Sequence, residues 1–119
     1  MTLLVHTFVH DETGRQRLLD DPEDGGDMAG FERTRTRLWG SECARALGAR
    51  FLPELADGNL SVQPEDVEDF LAECALLREH TARLAEHSGY SEDYVAARLA
   101  NITRAALRAR SVGGGVLVW

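Results

Sequence analysis

The sequence predicts an α+β fold: a small sheet pairing N- and C-terminal strands, packed on an antiparallel helical hairpin plus a broken helix. Three observations predict it. Leu3 to Val9 is an apolar run that opens the chain, and Val116-Leu117-Val118-Trp119 is a second one, reached through Gly113-Gly114-Gly115. Between them, two helical stripes over residues 64–110 are separated by only a few residues. A short apolar segment at a terminus frays unless it docks, and β-branched and aromatic side chains dock best in a sheet. The opening strand is its natural partner.

The elements follow in order. Leu3, Val5 and Val9 alternate with Leu4 and Phe8, so this strand is apolar on both faces and suits a position covered on both sides. Asp11-Glu12-Thr13-Gly14 reads as a turn, and Arg15 to Leu19 as a returning strand that completes a hairpin. Residues 20–30 read as an acidic mobile loop, with Pro22, Gly25 and Gly26 among its acids. Phe31 to Leu38 fits either a strand or a helix, and helix is the expectation. Gly40 breaks it, and Ser41 caps a second piece, Glu42 to Leu47, that Gly48 ends. Phe51 to Leu55 forms an apolar elbow, and Leu60 to Val62 is extended. Pro64 at a first helical position, followed by Glu65, Asp66, Glu68 and Asp69, starts a helix expected to run to about His87. Val67, Phe70, Cys74, Leu77 and Leu84 are its stripe. Ser91 caps the next helix, with Val95, Leu99, Ile102, Ala106 and Ala109 facing inward. So short a link makes the two helices antiparallel.

At 119 residues the chain has the size of one domain, residues 1–119, with enough apolar sequence for a core without staples. His6 and His10 interrupt the first apolar run, so it reads as neither a signal nor a membrane span, and a cytoplasmic location is expected. Cys43 and Cys74 fall in separate helical patterns and read as buried reduced thiols. The net charge is −7, and it is unevenly placed. Acidic stretches lie at Asp11 to Glu32 and Glu54 to Glu79, and arginine-rich ones at Arg33 to Arg50 and Arg98 to Arg110. This balance disfavours nucleic acid and favours a basic protein partner.

Candidate chemistry is sparse. His6 and His10 share a strand face but stand roughly 13 Å apart, too far for one ion. His80 and His87 are about 10 Å apart along a helix, with the same objection. The acidic loop fails the calcium-loop register, since Phe31 occupies the place of the bidentate glutamate. The glycine triplet follows a helix rather than preceding one, so it reads as a close-approach link and not as a phosphate loop. No nucleophile motif is present. No cofactor and no metal are expected. Trp39 and Trp119 read as packing residues, and either would anchor an interface if exposed.

Trp39-Gly40-Ser41, Leu47-Gly48-Ala49-Arg50-Phe51-Leu52-Pro53 and Gly113-Gly114-Gly115-Val116 resemble small bacterial proteins of unassigned function, some of them associated with immunity proteins of contact-dependent and polymorphic toxin systems. The resemblance covers the last two-thirds of the chain and carries over no catalytic or binding residue. It implies a non-catalytic inhibitor of a basic toxin. The acidic surface would then be Asp20, Asp21, Glu23, Asp24 and Asp27 in the loop, or the stretch from Glu65 to Glu73, led by Glu65, Asp66, Glu68 and Asp69. Two other readings stand beside it: a regulatory or scaffold subunit acting as a homodimer, and a small enzyme using His6 or His10 with nearby carboxylates.

Overall fold

In the computed structural model, which describes residues 2–19 and 26–119, the first and last strands lie side by side. Strand β1 (Thr2–His10) runs antiparallel to β5 (Gly115–Val118), with Val5 opposite Val118 and Thr7 opposite Val116. Leu4 and Trp119 extend the ladder by exchanging both backbone hydrogen bonds at 2.9 Å. The glycine link is explained by close approach. A Cβ on Gly115 would lie 2.2 Å from the Val62 carbonyl oxygen, and one on Gly114 would lie 1.9 Å from that of Phe8.

Among the described residues the sheet has five strands. Beyond β5 lies β4 (Leu60–Val62), so the extended segment expected there is a paired strand. Strands β2 (Gln16–Leu18) and β3 (Met28–Phe31) both pair with β1, at His10 to Phe8 and at Leu4 to Thr2 respectively. They lie end to end along one edge. The Val5 N–H donates to Asp27 and the Thr7 carbonyl accepts from Leu19, while Leu4 faces β5. The hairpin turn before β2 is closed by Asp11, whose carboxylate accepts from the Thr13 hydroxyl and from the Thr13 and Arg15 N–H groups.

Three expectations need correction here. The loop assigned to residues 20–30 does not extend that far, because Met28–Phe31 is strand β3; residues 20–25 lie outside the described residues. Phe31 therefore ends a strand, and the helical piece expected from Phe31 begins later, as a π-helical turn over Arg35–Trp39. Ala29 and Gly30 carry little strand propensity, but β1 needs a partner for its exposed edge, and pairing overrides propensity. The helix expected from Pro64 to His87 is also divided. A 3-10 turn, Pro64–Asp66, leads into α2 (Val67–Arg78), and α3 (Thr81–Ser88) follows after a break. At that break Glu79 and His80 make tight bonds to Leu76 and Leu77, and His80 leaves the helical region with φ −126°.

Helix α1 (Glu42–Leu47) is capped by the Ser41 hydroxyl, and α4 (Glu92–Val112) by that of Ser91, as expected. Helices α3 and α4 form the antiparallel hairpin, joined at Gly89 and Tyr90. Helix α4 crosses one face of the sheet, where the Thr7 hydroxyl donates to the Ala105 carbonyl at 2.7 Å. The core lies between them, with Leu3, Val5, Val116 and Val118 from the sheet meeting Phe70, Leu77, Leu99 and Ile102 from the helices. On the other face of β1, Phe8 and His6 are also buried, so the strand is covered on both sides. Burying Val116 and Val118 fully stabilises by about 1.5–3 kcal/mol each.

Candidate functional site

The described acids expected to meet a partner stand where the chain enters α2. Glu65, Glu68 and Asp69 are exposed and Asp66 is half-buried. Proline at the first position and acids after it suit the positive end of the helix, so their local role is structural as well. Among the described residues, Glu68 alone of the four has an ion-pair partner, Arg110 at 3.6 Å. Both side chains are largely in solvent, and a pair of that kind contributes only about 0–1 kcal/mol. The surface is therefore still available to another cation.

Glu73 is the exception in the acidic stretch, and corrects its assignment as surface. It is 6% exposed, and its carboxylate accepts the N–H groups of Arg50, Phe51 and Leu52 at 2.5–3.2 Å. Those donors belong to the start of a 3-10 turn, Leu52–Ala56, so Glu73 caps one element from another. The signal was present in the sequence: Glu73 lies on the same helical face as Phe70, Cys74 and Leu77. Beside it is a pocket of about 200 Å³ whose lining includes Phe51, Ala72 and Leu76 as apolar wall, with Asp69 and Arg50.

Of the loop acids, Asp27 is half-buried, with its carbonyl held by the Val5 N–H at 2.7 Å; Asp20, Asp21, Glu23 and Asp24 lie outside the described residues. The two sets are not shown together.

A second surface was not visible in the sequence. Phe31, Glu32, Arg33, Arg37 and Tyr90 line a cleft of about 410 Å³. Two of the lining residues are aromatic, Phe31 and Tyr90, and both stack on Tyr94, at 5.5 and 4.9 Å; Arg98 lies over the Tyr94 ring at 5.0 Å. The segment carrying Phe31 and the arginines is tied down by polar bonds. The Tyr94 hydroxyl accepts the Phe31 N–H at 2.8 Å, and the Thr34 hydroxyl donates to the Phe31 carbonyl at 2.6 Å. Arg35 binds Glu32, the Gly58 carbonyl and the Asn59 side chain. Trp39 is fully buried and donates its indole N–H to the Ala29 carbonyl at 2.9 Å. Gly30, with φ +125°, lets Thr34 sit directly against the strand end.

The remaining candidates are placed as follows. His6 is buried, and its Nδ1 accepts the Trp119 indole N–H at 2.8 Å; Trp119 itself is 44% exposed. His10 is exposed beside the Phe8 ring. Among the described residues no group of three or more histidines, cysteines or acids is arranged to hold a metal. Both cysteines are free thiols, Cys74 buried and Cys43 only half-buried. Burial pushes the Cys74 thiol up to about 12, with Glu73 adding to the rise and a hydrogen bond with Thr103 opposing it. A thiol of that kind is not a nucleophile at neutral pH. Among the described residues no helix is long and apolar enough to cross a membrane.

Comparison with protein-family models, curated proteins and solved structures finds no match for this chain.

Proposed function

We propose that this chain is a non-catalytic binding protein, an immunity-type inhibitor that covers a basic site on a protein partner with the acidic surface Glu65, Asp66, Glu68 and Asp69. The observation that carries this reading is that the four carboxylates cluster where a 3-10 turn runs into α2, three of them exposed, while among the described residues a single solvent-exposed arginine answers them. The adjoining pocket supports it. Its apolar wall suits the stem of an arginine or lysine, and Asp69 suits the charged head. Charge complementarity of this kind speeds encounter and makes it salt-sensitive.

The test uses the purified product of the adjacent gene, since an inhibitor of this type is encoded beside its target. That protein binds the unaltered chain, and the Glu65→Gln/Asp66→Asn/Glu68→Gln/Asp69→Asn variant binds at least about tenfold more weakly with an unchanged circular dichroism spectrum. Equal affinity for the two forms overturns the proposal.

A further inference from the structure

The geometry points to a second binding site, independent of the acidic surface: the cleft of Phe31, Arg33, Arg37 and Tyr90 takes a nucleotide-like ligand, a planar aromatic ring on a phosphate arm. The charge argument comes first. Glu32, which also lines the cleft, is paired with Arg35 at 2.5 Å and not with Arg33 or Arg37. Among the described residues neither Arg33 nor Arg37 has an acidic partner. The Arg37 N–H donates to the Arg33 carbonyl at 3.0 Å, which places the two one helical turn apart and on the same side. Like charges at that spacing repel, and an anion between them relieves the repulsion. Guanidinium groups suit phosphate because their planar forks bind it through paired N–H bonds.

The aromatic side supplies the other half. Phe31 is 54% exposed and ends a stacked series that runs through Tyr94 to Tyr90, an exposure large enough to admit a further ring. Stacking of a nucleobase on an aromatic side chain contributes about 1–3 kcal/mol and tolerates any base. The size agrees, because about 410 Å³ lies in the range of small-ligand sites. The site is also held in advance: the bonds from Tyr94, Thr34 and Arg35 fix the segment before any ligand arrives, which lowers the ordering cost of binding. Arg37 also borders an adjoining trough of about 610 Å³, but Glu42 and Glu86 line that trough, so the phosphate belongs on the Phe31 side. The net charge of −7 opposes a polyanion spread over the surface, and is compatible with a single phosphate at this one place.

The test is an NMR titration of the intact protein with adenosine 5′-monophosphate, guanosine 5′-monophosphate, adenosine, inorganic phosphate and a short single-stranded oligonucleotide. Both monophosphates shift the signals of Phe31 and Tyr90 and saturate with a Kd of about 1 mM or tighter. Adenosine and phosphate each bind at least about tenfold more weakly, because each keeps half of the contacts. A free nucleotide as the source gives equal or weaker binding of the oligonucleotide; a strand end as the source gives tighter binding at the same residues. The Arg33→Gln/Arg37→Gln variant, altered only at exposed positions, loses at least about tenfold in affinity. Arg35→Ala, which touches the scaffold and not the ligand, weakens binding by a smaller factor. The variant with a neutral acidic surface binds nucleotide as before, so failure here is separate from failure of the inhibitor reading. Absence of shifts at Phe31 and Tyr90, or equal binding of phosphate and monophosphate, overturns the proposal.

Discussion

Glu65, Asp66, Glu68 and Asp69 stand almost next to one another in the chain, whereas Phe31, which lines the arginine-bearing cleft, is held by Tyr94, 63 residues away. The acidic surface is a property of local sequence carried outward by one helix start. The cleft exists only because β3 docks on β1 and α4 packs beside it. Its arginines stay in solvent while Leu38 and Trp39 on the same turn are fully buried. The lesson is that charge written locally can be removed without disturbing the fold, while a site assembled across the fold shares its fate.

The most severe way to test that distinction is to delete Val116 to Trp119. The deletion removes β5 from between β1 and β4, together with two fully buried valines, in a chain whose total stability is on the order of 5–15 kcal/mol. Cooperative thermal unfolding should be lost, and the cleft and the acidic surface with it. A truncated protein that melts like the intact one refutes the role given to β5.

A smaller effect separates the two surfaces. Glu73→Gln leaves the N–H groups of Arg50, Phe51 and the buried Leu52 with one weaker acceptor, and should cost about 2–3 kcal/mol in urea unfolding. The change should move NMR signals around Asp69 and the neighbouring pocket and spare those of Phe31 and Tyr90. Stability within about 0.5 kcal/mol of the parent would show that the carboxylate is not a structural anchor.

The smallest effect concerns the hairpin turn. The Thr13 hydroxyl, with the Arg15 and Thr13 N–H groups, holds the Asp11 carboxyl below its ordinary value. A lowered folded value means that its contribution is complete above the unfolded value of about 3.9 and is lost as pH falls through the folded value. The Thr13 and Arg15 amide signals should therefore change only in that acid range, with the cleft unaffected. A midpoint at the ordinary aspartate value contradicts the assigned bonds.

Much of the fold was legible because apolar burial writes itself into spacing. The β1–β5 pair, the caps at Ser41 and Ser91, and the helical hairpin all follow from runs and stripes. Strand β3 was not legible, because Met28-Ala29-Gly30-Phe31 has no strand pattern of its own and is held by the edge of β1. The break at His80 was hidden for the opposite reason: the apolar stripe continues through Leu77 to Leu84, both buried, across a step in the backbone. Of the acidic surface, composition revealed the residues but not the inward turn of Glu73. The cleft escaped because its rings and arginines meet only in three dimensions.

The central claim is that the start of α2 is the partner-binding face. The rate of association between this chain and its neighbouring-gene product, measured as ionic strength is raised, tests it most directly. The account predicts a steep fall for the unaltered chain, and a flat, slower response for the variant neutral at Glu65, Asp66, Glu68 and Asp69. Identical salt dependence in the two would contradict it.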